Sequence, residues 1–252
     1  MEDIFFFDCN CSIGLPMNGG AYAADAPALL AEMDHAGIEK ALVRYINTDI
    51  AIPYSNACLA ELLKADTAER LTGVWTILPS QCREIPEPDE FFALFKANRI
   101  GAITLYPTEH RYIPCRLTLG KILDAAAERK VPVLLNGFAG KWNELYAFMK
   151  EFPSLTCIYV EKGGKWGSDR NIRPLLETYE NFHFETAGYW VPGGIADLAQ
   201  EYGTNRILYG SNFPKYNHGN GMLQLKYSGL SESDVALIAG KNLENLLKGA
   251  QL

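Results

Sequence analysis

The sequence predicts an α/β protein built as a single (β/α)8 TIM barrel that spans residues 1–252. Three observations predict this fold. Short apolar runs alternate with helix-like segments, the alternation repeats eight times, and the composition does not shift along the chain. A barrel of eight such units typically needs about 250 residues. An open doubly wound sheet is the competing fold, but no strand-turn-helix unit carries a G-x-G-x-x-G or phosphate-loop pattern.

Each predicted strand is a short apolar run. Several are unbroken, as expected when both faces of a parallel sheet are buried, and most end in Gly or Pro within a few residues. The eight runs cover residues 4–10, 40–46, 71–79, 100–107, 131–137, 155–164, 181–188 and 206–214.

Helix signals lie between these runs. Residues 117–130 carry apolar side chains at helical spacing. The segment 27–37 ends at a glycine that suits a helix C-cap. The last segment, 231–249, opens with a capping-box pattern and closes at a glycine.

Composition excludes several classes of protein. With 48% hydrophobic and 21% charged residues, the chain is neither disordered nor fibrous. The 30 acidic and 23 basic side chains give a net charge of −7, which argues against binding to nucleic acid or to a membrane surface because both are anionic. A small anionic molecule held by a few local arginines remains compatible with this charge.

The cysteines and the N-terminus indicate a reducing compartment. Of the six cysteines, only Cys9 and Cys11 lie close together, and no partner cluster resembles a zinc module. The N-terminal residues lack a signal peptide's basic segment and cleavage site, and the apolar run 4–7 is too short to span a bilayer. We therefore expect a cytoplasmic protein with reduced thiols.

Polar residues gather where the predicted strands end, which is where barrel enzymes place their chemistry. In the first strand, alternation places Asp8, Asn10 and Ser12 on one side and Cys9 and Cys11 on the other. If the polar set faces the barrel mouth, the cysteines point at the helices. The other strand ends offer Tyr45, Tyr106, Asn136, Glu161, Glu185 or Thr186, and Asn212. A ring of such groups suggests a polar pocket.

Several segments resemble the motifs of one family. Residues 7–14 stand where that family has I-D-x-H-x-H-x-G, and residues 33–41 match its M-D-x-x-G-I-x-K-A phrase. Further similarity lies in residues 131–137, 160–164, 206–214 and 241–247, so the match runs from residue 4 to about 248. The chain is similar to the amidohydrolase superfamily, in its amidohydrolase-related, decarboxylase-like branch. The resemblance implies the barrel fold.

The same resemblance implies a changed metal site. Active members hold a divalent metal with two His of the first strand, His after the fifth and often the sixth, and Asp after the eighth. This sequence has Asn10, Ser12, Asn136, Glu161 and Asn212 at those positions. Amides and hydroxyls are poor zinc ligands, so we expect no cofactor and no metal. A hard ion bound by Glu161, Asp8 and amide oxygens is the alternative.

Two carboxylates are the candidate catalytic groups of a metal-free site. Glu161 is the candidate general base and Asp8 its partner or orienting group, because two carboxylates in a closed site can take different pKa values. Asn10, Asn136 and Asn212 would orient a substrate or donate to an oxyanion. The alternative for either carboxylate is a structural role, in which it satisfies backbone amides or an arginine.

The remaining candidates would contact the substrate. Aromatic residues after the strands suit a sugar or aryl ring, and loop cations suit a carboxylate or phosphate. These candidates are Ser12, Arg44, Tyr106, Trp166 and His218. Each has an alternative role as packing, rim or solvated surface.

Two functions fit the sequence. The first is a hydrolase or lyase acting on a small cyclic, aryl or carboxylated substrate, with Glu161 and Asp8 as acid–base groups. The second is a non-catalytic family member, a pseudoenzyme that binds a small molecule or a partner subunit. A homo-oligomer is compatible with both.

Overall fold

Eight parallel strands form one sheet in the order of the sequence in the computed structural model, which describes residues 4–16, 23–47, 51–160 and 169–252. The strands are β1 Phe7–Ile13, β2 Lys40–Tyr45, β3 Leu71–Thr76, β4 Ile100–Leu105, β5 Val133–Leu135, β6 Cys157–Tyr159, β7 Phe182–Glu185 and β8 Ile207–Leu208. The segment after β8 returns to β1, where the amides of Cys9 and Ser12 donate to the carbonyls of Tyr209 (3.0 Å) and Phe213 (2.9 Å). These bonds close the sheet, and the predicted (β/α)8 barrel is confirmed.

Helices connect the strands and cover the outside of the barrel. They are α1 Ala26–Ala36, α2 Ile52–Leu63, α3 Pro88–Ala93, α4 Phe95–Asn98, α5 Arg116–Glu128, α6 Trp142–Glu151, α7 Asp169–Thr178, α8 Gly194–Tyr202, α9 Gly219–Lys226, α10 Glu232–Ala236 and α11 Asn242–Gly249. A 3-10 turn spans Ser80–Cys82 and a π-helical turn spans Leu237–Lys241. None of the helices in the described ranges is long and apolar enough to cross a membrane.

The predicted helix ends at Gly37 and Ser231 are confirmed, and Asp25 is a further cap that the sequence analysis does not name. Asp25 caps α1 by accepting a hydrogen bond from the amide of Ala28 at 2.9 Å. Gly37 ends the helix with φ of 78°, in the left-handed region that favours glycine. Ser231 caps α10 through the amide of Asp234 at 3.2 Å.

The core has two layers, because each strand buries one face inside the barrel and the other under the helices. Phe7, Cys9 and Leu42 belong to the inner cluster. Cys11 and Val43 belong to the outer cluster, which contacts the helices. In β2 the alternation is regular, so Arg44, two residues after Leu42, also points inward.

The first strand departs from this regularity. Asp8 pairs with Ala41 and Cys11 pairs with Val43, so β1 has one residue more than β2 between these pairs. The extra residue reverses the alternation within the strand. The prediction that both cysteines face the helices is therefore wrong for Cys9, which lies inside the barrel. Asp8, between the inward Phe7 and Cys9, faces outward.

Candidate functional site

Arg44 is the centre of a buried polar network at the barrel mouth. It lies next to the last residue of β2, and only 9% of its surface is exposed. Its Nη1 donates to Oδ1 of Asn10 on β1, and its Nη2 donates to Oδ1 of Asn212 after β8 at 3.2 Å. Both acceptors are neutral amide oxygens. The guanidinium therefore joins three parts of the chain that are far apart in sequence.

Glu185 extends this network on the other side of Asn10. Asn10 Nδ2 donates to Glu185 Oε1 at 3.1 Å, and the amide of Ala187 donates to Oε2 at 2.6 Å. Burial raises the pKa of the Glu185 carboxyl well above its usual value, which favours its protonated form. The sequence indicated Glu185 only as a polar strand end. Phe182 and Phe184 face the helices, so the alternation of β7 was the sequence signal that Glu185 points into the barrel.

Gly210 allows the Glu185 carboxyl to lie where it does. A Cβ at this glycine would be 2.4 Å from Glu185 Oε2 and 3.2 Å from Cβ of Asn10. The backbone amide of Gly210 donates to Oγ1 of Thr186 at 3.3 Å. The close approach of backbone and carboxyl therefore requires glycine at this position.

Asn212 presents a second donor beside the cation. Its backbone has φ of 55°, a left-handed conformation in which asparagine is enriched, and the next peptide bond, Phe213–Pro214, is cis. The side chain is 5% exposed. Its Oδ1 accepts from Arg44, whereas its Nδ2 is buried and has no hydrogen-bond partner within the described ranges.

The other predicted mouth residues join this network only in part. Ser12 pairs in register with Arg44 and is buried. Tyr106 is 2% exposed, and burial raises the pKa of its phenol while the charge of Arg44 partly offsets that rise. Asn136 bonds elsewhere, since its Nδ2 donates to Oγ1 of Thr104 at 2.8 Å. Asn10 and Asn212 thus converge directly on Arg44, and Asn136 lies in a separate pair.

Asp8 and His218 form a different cluster, on the outer side of β1. Asp8 Oδ1 accepts from the amides of Asn10 (3.0 Å) and Ser211 (2.9 Å). Its Oδ2 contacts Ser211 Oγ and lies 3.2 Å from His218 Nδ1. The His218 ring stacks on Phe213 with centroids 4.4 Å apart, and its Nε2 is buried without a partner in the described part of the chain.

This environment gives Asp8 an orienting position rather than one at the mouth. Burial raises the pKa of Asp8, but hydrogen bonds from His218 and Ser211 together with the charge of His218 outweigh it and leave the pKa below its usual value. The prediction that Asp8 faces the mouth beside Asn10 is wrong, because the extra residue in β1 turns it outward. His218, predicted as a substrate contact, bonds to Asp8 in the same outer cluster.

A cavity opens beside the ends of β7 and β8. Its volume is about 290 Å³, close to the lower end of small-molecule sites. The rings of Trp190 and Tyr216 on its wall have centroids 6.2 Å apart. Gly210 also lines it, so the cavity adjoins the backbone that packs against Glu185.

Two sets of residues lie where a divalent metal could bind. In the outer cluster, ligand atoms of Asp8, Cys11 and His218 lie within 4.8 Å of one another. Both Asp8 oxygens already accept two hydrogen bonds each, and burial raises the pKa of the Cys11 thiol well above its usual value, so both groups are weaker ligands than free carboxylate and thiolate. At the mouth, the oxygens of Asn10 and Asn212 face the Arg44 cation. The Arg44 cation disfavours a divalent ion at the mouth, whereas the outer cluster keeps an imidazole nitrogen, Nε2 of His218, that could ligate one.

Two predicted residues, Glu161 and Trp166, lie outside the described residues, in the gap between 160 and 169. The candidate general base and one of the aromatic substrate contacts therefore remain sequence predictions.

Comparison with known proteins bears on the family and the fold. The family model described as amidohydrolase matches residues 20–248. No curated protein matches the chain. Many solved structures resemble it.

Three of these structures cover nearly the whole chain. A 2,6-dihydroxybenzoate decarboxylase from Rhizobium is 16% identical with a TM-score of 0.69, covering 97% of this chain and 99% of that one. A dihydroxybenzoic acid decarboxylase from Polaromonas, with bound manganese and 2-nitroresorcinol, is 16% identical with a TM-score of 0.64, covering 97% of each chain. A probable 2-pyrone-4,6-dicarboxylic acid hydrolase from Acinetobacter baumannii, with citric acid bound, is 12% identical with a TM-score of 0.71, covering 96% and 99%. At these identities the likeness shows the fold.

Proposed function

This chain belongs to the amidohydrolase family, and we propose that it is a metal-independent hydrolase or lyase that binds a small cyclic or aryl carboxylate at Arg44. The observation that carries the proposal is a buried guanidinium whose hydrogen-bond partners in the described chain are two neutral amides, Asn10 and Asn212. The proposal follows from the cost of leaving such a charge without a counterion.

A buried cation is expensive unless an anion or several acceptors compensate it. Within the described chain, no carboxylate forms an ion pair with Arg44, and burial raises the pKa of Glu185, which weakens this nearby acid as a counterion. Each terminal nitrogen of a guanidinium carries two N–H groups, and planar carboxylates fit this fork. Asn212 Nδ2 is a further buried donor beside it. An anionic ligand would satisfy both groups.

The class of ligand is supported by the neighbouring cavity and by the relatives. The cavity of about 290 Å³ beside Trp190 and Tyr216 suits a single ring. The structures reported above are named for dihydroxybenzoate decarboxylation and for hydrolysis of a pyrone dicarboxylic acid, and each of these compounds is a carboxylated ring. Tyr106, Ser12 and Trp166 are the proposed further contacts.

Metal independence rests on the chemistry of the donors at the barrel mouth. The side-chain oxygens of Asn10 and Asn212 accept hydrogen bonds from the Arg44 guanidinium instead of facing a metal. The positive charge of Arg44 would repel a divalent ion placed between these oxygens. Arg44 supplies a fixed positive charge that stabilises negative charge on a bound acid. Glu161 is the proposed acid–base group, and Asp8 is proposed to orient His218 and Ser211 rather than to transfer a proton.

The test combines metal analysis with turnover. Elemental analysis of protein purified without chelators is expected to find no stoichiometric zinc or manganese. A panel of hydroxybenzoates and pyrone carboxylates is then assayed for product with the parent and with Glu161→Gln, and turnover is expected in the parent only. Stoichiometric metal, or equal turnover in the variant, would overturn the corresponding part of the proposal.

A non-catalytic binding protein is the second candidate. It is favoured by the bonding of Asn10 and Asn212, whose amide oxygens both accept from Arg44. It predicts saturable binding of a carboxylate with no turnover of any compound in the panel, and unchanged affinity in Glu161→Gln.

A further inference from the structure

The Arg44 guanidinium determines which atom of the Asn10 amide faces it and which faces Glu185. A guanidinium only donates, so the atom of Asn10 that faces Arg44 must be the amide oxygen. The amide nitrogen of Asn10 then faces Glu185 at 3.1 Å and requires an acceptor there. The orientation of one asparagine side chain thus depends on what stands at position 185.

Glu185 provides acceptors in two directions at once. Its Oε1 accepts from Asn10, and its Oε2 accepts from the amide of Ala187 at 2.6 Å. A carboxyl group retains a lone pair on both oxygens whether or not it is protonated. A glutamine has one oxygen only, so it would turn a donor toward either Asn10 or Ala187.

The carboxyl group has little freedom to avoid this conflict. Glu185 is fully buried, and the Cα of Gly210 approaches so closely that a Cβ there would lie 2.4 Å from Oε2. Asn10 is 2% exposed, so water cannot easily replace a lost partner. The network can therefore be satisfied in one arrangement of donors and acceptors.

We propose that Glu185 is a positioning residue of the anion site: by accepting from both Ala187 and Asn10, it orients the Asn10 amide so that its oxygen holds the Arg44 guanidinium. The inference rests on the proposed function for its link to carboxylate binding. The orientation itself is independent of that function, and the experiment separates the two.

The test is a double-variant cycle read by thermal unfolding. Glu185→Gln keeps the shape of the side chain and changes the donor pattern, because an NH2 group replaces one of the two oxygens that accept from Asn10 and Ala187. It is expected to lower Tm by about 5 °C, since a buried donor loses its acceptor. Adding Asn10→Asp is expected to recover at least half of that loss, because a carboxylate at position 10 accepts from both sides. Glu128→Gln on the exposed face of α5 is the control, with an unchanged Tm.

Ligand binding gives the second readout, with benzoate as the probe. Glu185→Gln is expected to weaken benzoate at least fivefold, and the double variant is expected to stay weak because its new carboxylate occupies Arg44. Gly210→Ala, which displaces the carboxyl group of an intact Glu185, is expected to weaken benzoate to the same extent. This variant keeps the test decisive if Glu185→Gln does not fold.

The outcomes separate the two proposals. A Tm of Glu185→Gln within 1 °C of the parent, or a double variant no more stable than Glu185→Gln, overturns the positioning role. Where Glu185→Gln does not fold, unchanged benzoate affinity in Gly210→Ala overturns it. Recovery of Tm in the double variant together with no binding of benzoate to the parent supports the positioning role and refutes the proposed ligand class.

Discussion

Replacing Arg44 by glutamine removes the charge on which the proposed ligand depends. Arg44 is 9% exposed and bonds to Asn10 and Asn212, which are neutral, so a bound carboxylate would be its counterion. A hydrogen bond between charged groups contributes about 1.5–3 kcal/mol. Counting one such bond at about 2 kcal/mol, Arg44→Gln weakens a carboxylate by about 30-fold.

Titration calorimetry with benzoate and with benzamide measures this effect. Both probes carry the same ring, but only benzoate carries a negative charge. Arg44→Gln is therefore expected to weaken benzoate by about 30-fold and to change the affinity for benzamide less than threefold. Arg83→Gln, an exposed arginine in the described chain, makes the same charge change at a distance and is expected to bind both probes like the parent. If benzoate affinity falls less than threefold in Arg44→Gln, the cation does not hold the carboxylate and the proposed ligand class is wrong.

Three further predictions concern stability. Asp8→Asn is expected to lower Tm at pH 7 by about 4–8 °C, because an ionised carboxylate that accepts four hydrogen bonds is lost. Because folding lowers the pKa of Asp8, this carboxylate stabilises the protein above its unfolded pKa of about 4, and the stabilisation is lost as the pH falls through the folded pKa. In a pH series, the Tm of Asp8→Asn is therefore expected to fall less steeply at acid pH than the Tm of the parent. An equally steep fall in both proteins contradicts this role of Asp8. Gly240→Ala is expected to destabilise by about 1–3 kcal/mol in urea unfolding, because its Cβ would lie 2.7 Å from the carbonyl oxygen of Phe5, and a neutral effect would contradict this packing. Incubation with a chelator is expected to leave Tm unchanged, and a fall in Tm that added manganese reverses would refute metal independence.

Much of the fold is encoded in patterns that act over short distances. Apolar runs with helical segments between them require strands covered by helices, and the helices α1 and α10 begin at the polar N-caps Asp25 and Ser231. The convergence of Asn10 and Asn212 was likewise predictable, since a parallel sheet brings the carboxyl ends of its strands to one side of the barrel. These features depend on neighbours along the chain.

The directions of side chains in β1 required the tertiary structure. Alternation predicts Asp8, Asn10 and Ser12 on one side, yet a single extra residue between the pairs Asp8–Ala41 and Cys11–Val43 reverses the pattern. Such an irregularity arises from how one strand is held against its neighbour, and the letters of the strand do not reveal it. Asp8 consequently joins His218 rather than the mouth.

The content of the site was also decided by tertiary contacts. Sequence analysis names Arg44 and Asn212 separately, but their hydrogen bond joins residues 168 positions apart, and that between Asn10 and Glu185 joins residues 175 apart. Which amide atom faces which partner depends on groups from β1, β2, β7 and the segment after β8 at once. Sequence alone determines the barrel and the polar residues at its rim. The closed barrel determines that the Arg44 cation lies between the amides of Asn10 and Asn212, because only closure brings these four segments together.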